Sequence, residues 1–300
     1  MKKMLIAILG LVMSLPMTFA ADSGDTNKAG ITVDGIFSSM AGSKDGSVFL
    51  LDNDNNLVII TPDNSKKSLK LPTIMESNPG DRFCDLVVEG NTAWFCGFPF
   101  PVVFELNLEK PDSFKILRSS DQEMAMLHLL NISKNPDGLR IKDADGFVLK
   151  IENNKPLQKQ PNYSTLDCAD NGTILIIPPP QIETEKGISN GDTVLDCNGK
   201  VFWKAPAPKL PKKVLSVEFL GSDKLKRNIF LVAAGSGELD TEFCLYAVSN
   251  NKVVASRKVK SPDGLEMQHF CRLSPDGTIL VAEQAGTPDK AGIIIKHIVL

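Results

Sequence analysis

Short apolar runs alternate with polar turns along the whole chain, and one turn signal keeps returning. A glycine beside Asp, Asn or Glu closes one apolar run and opens the next. It does so in SKDGSVFLL (43–51), VEGNTAWF (88–95), NPDGLRIK (135–142), ADNGTILII (169–177) and SPDGTILVA (274–282). A weaker equivalent, GSDKLKRNIFLVA, fills the gap at 221–233. From Gly46 to Gly277 is 231 residues in five steps, about 46 each. The runs are rich in Val, Ile and Phe and bounded by Gly, Pro, Asn and Asp, the marks of strands and tight turns.

Each unit reads as four strands, A to D, with the recurrent turn between A and B. In the first unit these are GIFSSMAG, SVFLLD, LVIIT and SLKL; the fifth gives VLSVEFL, IFLVAA, FCLYAV and VVASRKV. A period of this size with several short strands per unit predicts an all-β chain, a β-propeller of six four-stranded blades. The sixth unit has EMQHFCRL, TILVAE and IIIKHIVL but no fourth strand, while ITVDG (31–35) stands before the first unit with no unit of its own. An N-terminal strand that completes the last blade closes the ring and removes two open edges. One segment departs from the pattern. SSDQEMAMLHLL (119–130) has Ser120 three residues before Glu123, a capping box, which predicts a short helix before or in place of strand A of the third unit.

The N-terminus changes the picture of where the protein works. Lys2 and Lys3 precede an apolar stretch from Met4 to Leu15, and Thr18-Phe19-Ala20 supplies small residues at a cleavage site. Residues 1–20 therefore read as a secretory signal peptide cut near Ala20. Residues 21–29 read as a loose polar tail, and 30–300 as one propeller domain. The expected location is the periplasm or the exterior, with no transmembrane segment in the mature chain and a monomeric state. Removing two lysines moves the net charge from −3 to −5. This is no nucleic-acid footprint.

Six cysteines in an exported chain favour disulfides. Cys84 and Cys96 stand symmetrically about Gly90, so a bridge across that hairpin is expected. The other four, Cys168, Cys197, Cys244 and Cys271, cannot be paired from sequence.

Two single-unit likenesses support the fold. LSPDGTILVA (273–282) resembles repeats of TolB-type propellers. TVLDCNGKVFWKAP (193–206) resembles a pyrroloquinoline-quinone-type repeat, with Asp196, Gly199 and Trp203 on the matching positions. The other units do not repeat that Trp, so a quinone cofactor is not implied. Exported propellers also include gluconolactonase-like lactonases, whose diagnostic motifs are absent here.

Candidate sites fall in two places. The B–C loops lengthen towards the C-terminus: PPPQIETEKGISNG (178–191), GSGELDTE (235–242) and QAGTPDKAG (284–292). They carry Glu183, Glu185, Glu238, Asp240, Glu242 and Asp289 on one rim, an acidic mouth for a cation or a basic partner. The second place is the central channel. His128 and His269 lie in the inner strands of opposite units, and Arg82, Asp85, Glu218 and Glu266 stand near inner-strand entrances. A channel His serves as base, nucleophile or metal ligand. His297 falls in a third strand with no evident partner. LDNDNNL (51–57) alternates Asp52, Asp54 and Asn56 like a calcium loop, but Leu57 replaces the required Gly, so it reads as a turn.

The sequence thus points first to an exported binding module for a protein or cell-envelope ligand, with no cofactor and no metal. The alternative is a gluconolactonase-like hydrolase or another propeller enzyme, with Ca or Zn and a central-channel site. Convergent carboxylates plus an Asn at the channel mouth favour the enzyme. A plugged apolar channel favours the binding module.

Overall fold

A computed structural model of the chain describes residues 30–72, 82–98, 102–118, 129–135, 138–143, 148–151, 158–159, 166–169, 172–177, 181–184, 187–190, 194–197, 200–204, 213–235, 240–250, 252–262, 269–285 and 292–300. The expected signal peptide, tail and capping-box segment 119–128 lie outside them.

The chain begins with β1 (Ile31–Asp34) and then builds six four-stranded antiparallel sheets. Blade one is β2 (Phe37–Gly42), β3 (Val48–Asp52), β4 (Asn56–Ile60) and β5 (Lys66–Lys70). Blade two is β6 (Arg82–Glu89), β7 (Thr92–Phe98), β8 (Val102–Asn107) and β9 (Phe114–Arg118). Blade three is β10 (Leu129–Asn135), β11 (Gly138–Asp143), β12 (Val148–Ile151) and β13 (Gln158–Lys159). Blade four is β14 (Leu166–Ala169) and β15 (Gly172–Ile177), then, after an inserted hairpin of β16 (Gln181–Thr184) and β17 (Gly187–Asn190), β18 (Val194–Cys197) and β19 (Lys200–Lys204). Blade five is β20 (Lys213–Ser222), β21 (Asn228–Gly235), β22 (Thr241–Ser249) and β23 (Lys252–Val259). Blade six is β24 (Cys271–Leu273), β25 (Ile279–Gln284) and β26 (Gly292–Ile298), completed by β1, which pairs Ile31 with Ile295 and Val33 with Ile293. The expected closure of the last blade by the first strand is therefore present.

Burial falls from the axis outward. In blade one β2 is buried throughout, β3 all but at its end and β4 in part, while β5 (KKSLK) is largely exposed. Inner strands are sandwiched by neighbouring blades on both faces, so even Ser38 and Ser39 of β2 are buried. The outer strands β5, β9, β13, β19 and β23 carry lysines, which protect a free sheet edge from pairing. Phe37, Met40, Leu50 and Leu280 belong to a core shared by blades one, five and six; Phe83, Phe95 and Phe104 join Leu51 and Leu57 between blades one and two.

The turns of blades one, five and six work as Asx turns. In blade six the Thr278 N–H donates to Asp276 Oδ1 at 2.8 Å, and Gly277 has φ 87°. In blade one the Ser47 N–H donates to Asp45 Oδ1 at 3.0 Å, and Gly46 has φ 86°. The left-handed conformation at these turns is the reason for Gly. The weaker copy in blade five keeps the Asp: Asp223 accepts from the N–H groups of Leu225 and Arg227, each at 2.9 Å, while Lys226 takes φ 56°. The LDNDNNL segment is likewise a turn, since Asp52 Oδ1 accepts from the N–H groups of Asp54 (2.9 Å) and Asn56 (2.7 Å).

The expected Cys84–Cys96 bridge is absent, and none of Cys84, Cys96, Cys244 and Cys271 is in a disulfide. The blade-two turn has two residues, Gly90 and Asn91, so Glu89 faces Thr92 and the register is shifted by one residue from symmetry about Gly90. A bulge between Phe83 and Asp85 then removes Cys84 from the ladder, and Cys96 faces Asp85. Gly97 sits opposite this bulge, where a Cβ would collide with the Arg82 carbonyl and approach the Phe83 Cα to 2.9 Å. The side chains of Cys168 and Cys197 lie outside the description.

Candidate functional site

The inner strands share an irregularity that positions the channel side chains. β2, β6, β10 and β20 each carry a bulge: between Phe37 and Ser39, Phe83 and Asp85, Leu129 and Asn131, and Val214 and Ser216. A bulge re-aims the residues that follow it. Ser39 and Asp85 are the first residues after two of these bulges, and their side chains meet.

Asp85 is the centre of the resulting layer, with 0% exposure. Ser39 Oγ donates to its Oδ1 at 2.5 Å, and the Ile132 N–H to its Oδ2 at 2.8 Å. Arg272 Nη2 donates to Oδ1 as an ion pair. His269 Nε2 lies 3.9 Å from Oδ2, and its Nδ1 lies 3.3 Å from Glu218 Oε1. Arg272 Nη1 is 3.8 Å from the same Glu218 oxygen. His269 and Arg272 side chains are 12% and 16% exposed, and Glu218 is 30% exposed. Five of the six blades thus contribute to one layer across the axis, with a parallel bridge between Ser39 and His269 joining blades one and six.

The electrostatics follow from this geometry. Burial alone pushes the Asp85 carboxyl up, but Arg272, His269 and the Ser39 and Ile132 hydrogen bonds outweigh it and hold the group below its ordinary value. Burial also pushes Glu218 up, and the His269 hydrogen bond and charge, with Arg272, bring it below the ordinary value. Burial lowers Arg272, but Asp85 and Glu218 raise it by more, so it stays a cation. The neighbouring thiols are the opposite case. Burial, with the Asp85 charge, drives Cys96 well above its ordinary value, and burial with Glu218 does the same to Cys271, so neither is a ready nucleophile. Arg272 Nε is buried without a hydrogen-bond partner.

Of the sequence candidates, the structure brings Asp85, Glu218 and His269 together. Arg82 opens β6, half-buried, three residues before Asp85. Ser39 and Arg272 were not singled out by sequence, although Arg272 lies in the same inner run, EMQHFCRL, as His269. His297 has a partner after all, Thr278 Oγ1 at 3.3 Å from its Nδ1. On the expected acidic rim, Asp240 and Glu242 stand exposed at the start of β22, and Glu242 lies 3.7 Å from Lys258 Nζ. The 178–191 loop contains the β16–β17 hairpin, in which Glu183 pairs with Ile188. The Glu183 side chain and all of His128, Glu185, Glu238, Glu266 and Asp289 lie outside the described residues. Among the described residues, no group of three or more His, Cys, Asp or Glu side chains is placed to hold a metal ion. No helix among them is long and apolar enough to cross a membrane.

Comparison with known proteins places the fold. No family model matches the chain, and no curated protein matches it. Among solved structures it is similar to streptogramin B lyase, at 12% identity and TM-score 0.51 over 90% of this chain and 96% of that one. It is also similar to the β-propeller domain of Cps50 (Swd1) from Myceliophteria thermophila, at 12% identity and TM-score 0.50 over 88% of this chain and 84% of that one. Identities this low speak for architecture alone. The chain has a β-propeller fold.

Proposed function

We propose that the protein is an exported, non-enzymatic propeller that binds a protein or cell-envelope ligand through its B–C/D–A rim. The observation that carries this is the state of the channel carboxylates. Asp85 is fully enclosed and accepts hydrogen bonds from Ser39, Ile132 and Arg272. Glu218 faces the same guanidinium and His269. The carboxylates converge on one layer, but there they are compensated by Arg272 and His269. Export rests on the Lys2–Ala20 segment, and the rim on the acidic loops that include Asp240 and Glu242.

The mature chain, immobilised and exposed to envelope extract, is expected to retain a saturable ligand, and D240K/E242K to weaken retention at least tenfold. A second reading has one specific support, the His269 Nδ1–Glu218 Oε1 contact of 3.3 Å, since a carboxylate-oriented imidazole is a general-base arrangement. Lactone or ester hydrolysis by the wild-type chain that His269→Gln abolishes, with no saturable retention, would overturn the binding reading.

A further inference from the structure

A cavity of about 430 Å³ occupies the A–B-turn end of the channel. This is the face opposite the B–C loops. Its walls come from Ala41, Leu86, Val88, Ile132, Phe219 and Leu273, with Arg272 at the level of the charged layer and Lys44 and Glu89 near the turns. The volume lies within the range of about 300–1,000 Å³ that holds small organic ligands.

Charge decides the class of occupant. Arg272 faces two carboxylates, Asp85 and Glu218, so it has no uncompensated positive charge to offer an anion. Lys44 and Glu89 have opposite formal charges. An ion entering between apolar walls would lose hydration without a matching partner. An uncharged apolar molecule loses little hydration on entry and gains contact with the walls. We propose that this cavity is a binding site for a small, uncharged, largely apolar organic molecule. The charged layer closes its inner end, and the ligand enters from the A–B-turn face. Binding there is separable from partner capture at the B–C rim.

The test uses two dyes with one body. N-phenyl-1-naphthylamine is uncharged, and 1-anilinonaphthalene-8-sulfonate adds a sulfonate to it. Titrated against the whole mature protein, the uncharged dye is expected to bind at one site per chain, at least tenfold more tightly than the sulfonate. Leu220→Trp, at another cavity-lining position, is expected to reduce the uncharged dye's affinity at least tenfold while the circular dichroism spectrum and melting transition persist. Ser133→Phe fills the cavity from blade three and serves if that variant does not fold. Absence of saturable binding, preference for the sulfonate, or binding unchanged by a folded filling variant would each overturn the proposal. D240K/E242K is expected to leave dye binding unchanged, so loss of rim binding and loss of cavity binding are told apart.

Discussion

The two halves of the central channel are made by the same inner strands and solve opposite problems. Around Asp85, four polar or charged side chains from other blades are drawn into one layer, each with a partner. A few residues further along those strands, Leu86, Val88, Ile132, Phe219 and Leu273 leave an apolar space with few polar demands. The difference shows what holds a propeller axis together when it is not packed solid. A buried charge network fixes the mutual placement of five blades, and the space beyond it can stay open because most of its described wall is apolar.

Breaking the charged half should cost most. Arg272→Met leaves Asp85 buried without its cation and is expected to lose about 3–5 kcal/mol, measured by chemical denaturation. The apolar half should yield less. Leu86→Ala enlarges a space that already exists, so a loss near the low end of the core range, about 2–3 kcal/mol, is expected in the same assay. Ser39→Ala removes one of the donors to Asp85 while Ile132 and Arg272 remain, and about 1–2 kcal/mol is expected.

The acid limb of a pH–stability curve sharpens the comparison without mutation. Asp85 and Glu218 are held below their unfolded values of about 3.9 and 4.3. Their contribution is therefore fully present above those values and is lost as pH falls through the lower folded ones. Denaturation midpoints should be level above about pH 5 and fall steadily below about pH 4, and the fall should be shallower in Asp85→Asn. The smallest effect concerns the thiols. Since Cys84, Cys96, Cys244 and Cys271 are not in disulfides, alkylation of the unfolded, unreduced chain should label at least those four.

Much of the fold was legible because it rests on local chemistry. Asp45-Gly46 and Asp276-Gly277 announce their turns through a side-chain acceptor and a left-handed Gly, and the orphan strand at 31–35 matched a blade lacking one. The Cys84–Cys96 bridge failed for an equally local reason that sequence does not display: a two-residue turn and a bulge, each a shift of one position, decide which residue faces Cys96. The site was half legible. Asp85, Glu218 and His269 stood out as ionisable residues placed near the inner-strand entrances. Their meeting with Arg272 depends on bulges in several blades and on ring closure, and neither is written in any one unit. Compensation also inverts their meaning, since carboxylates that look available in sequence are already engaged by Arg272 and His269.

The most direct test of the account is the effect of Asp85→Asn in two backgrounds, read as unfolding free energy. If the Asp85–Arg272 pair is the internal brace described here, D85N destabilises the wild-type chain. The same change stabilises the Arg272→Met variant, because there it removes an uncompensated buried charge. An effect of the same sign and size in both backgrounds would show that the two groups are not coupled, and the channel carboxylates would then be free for a ligand or for chemistry.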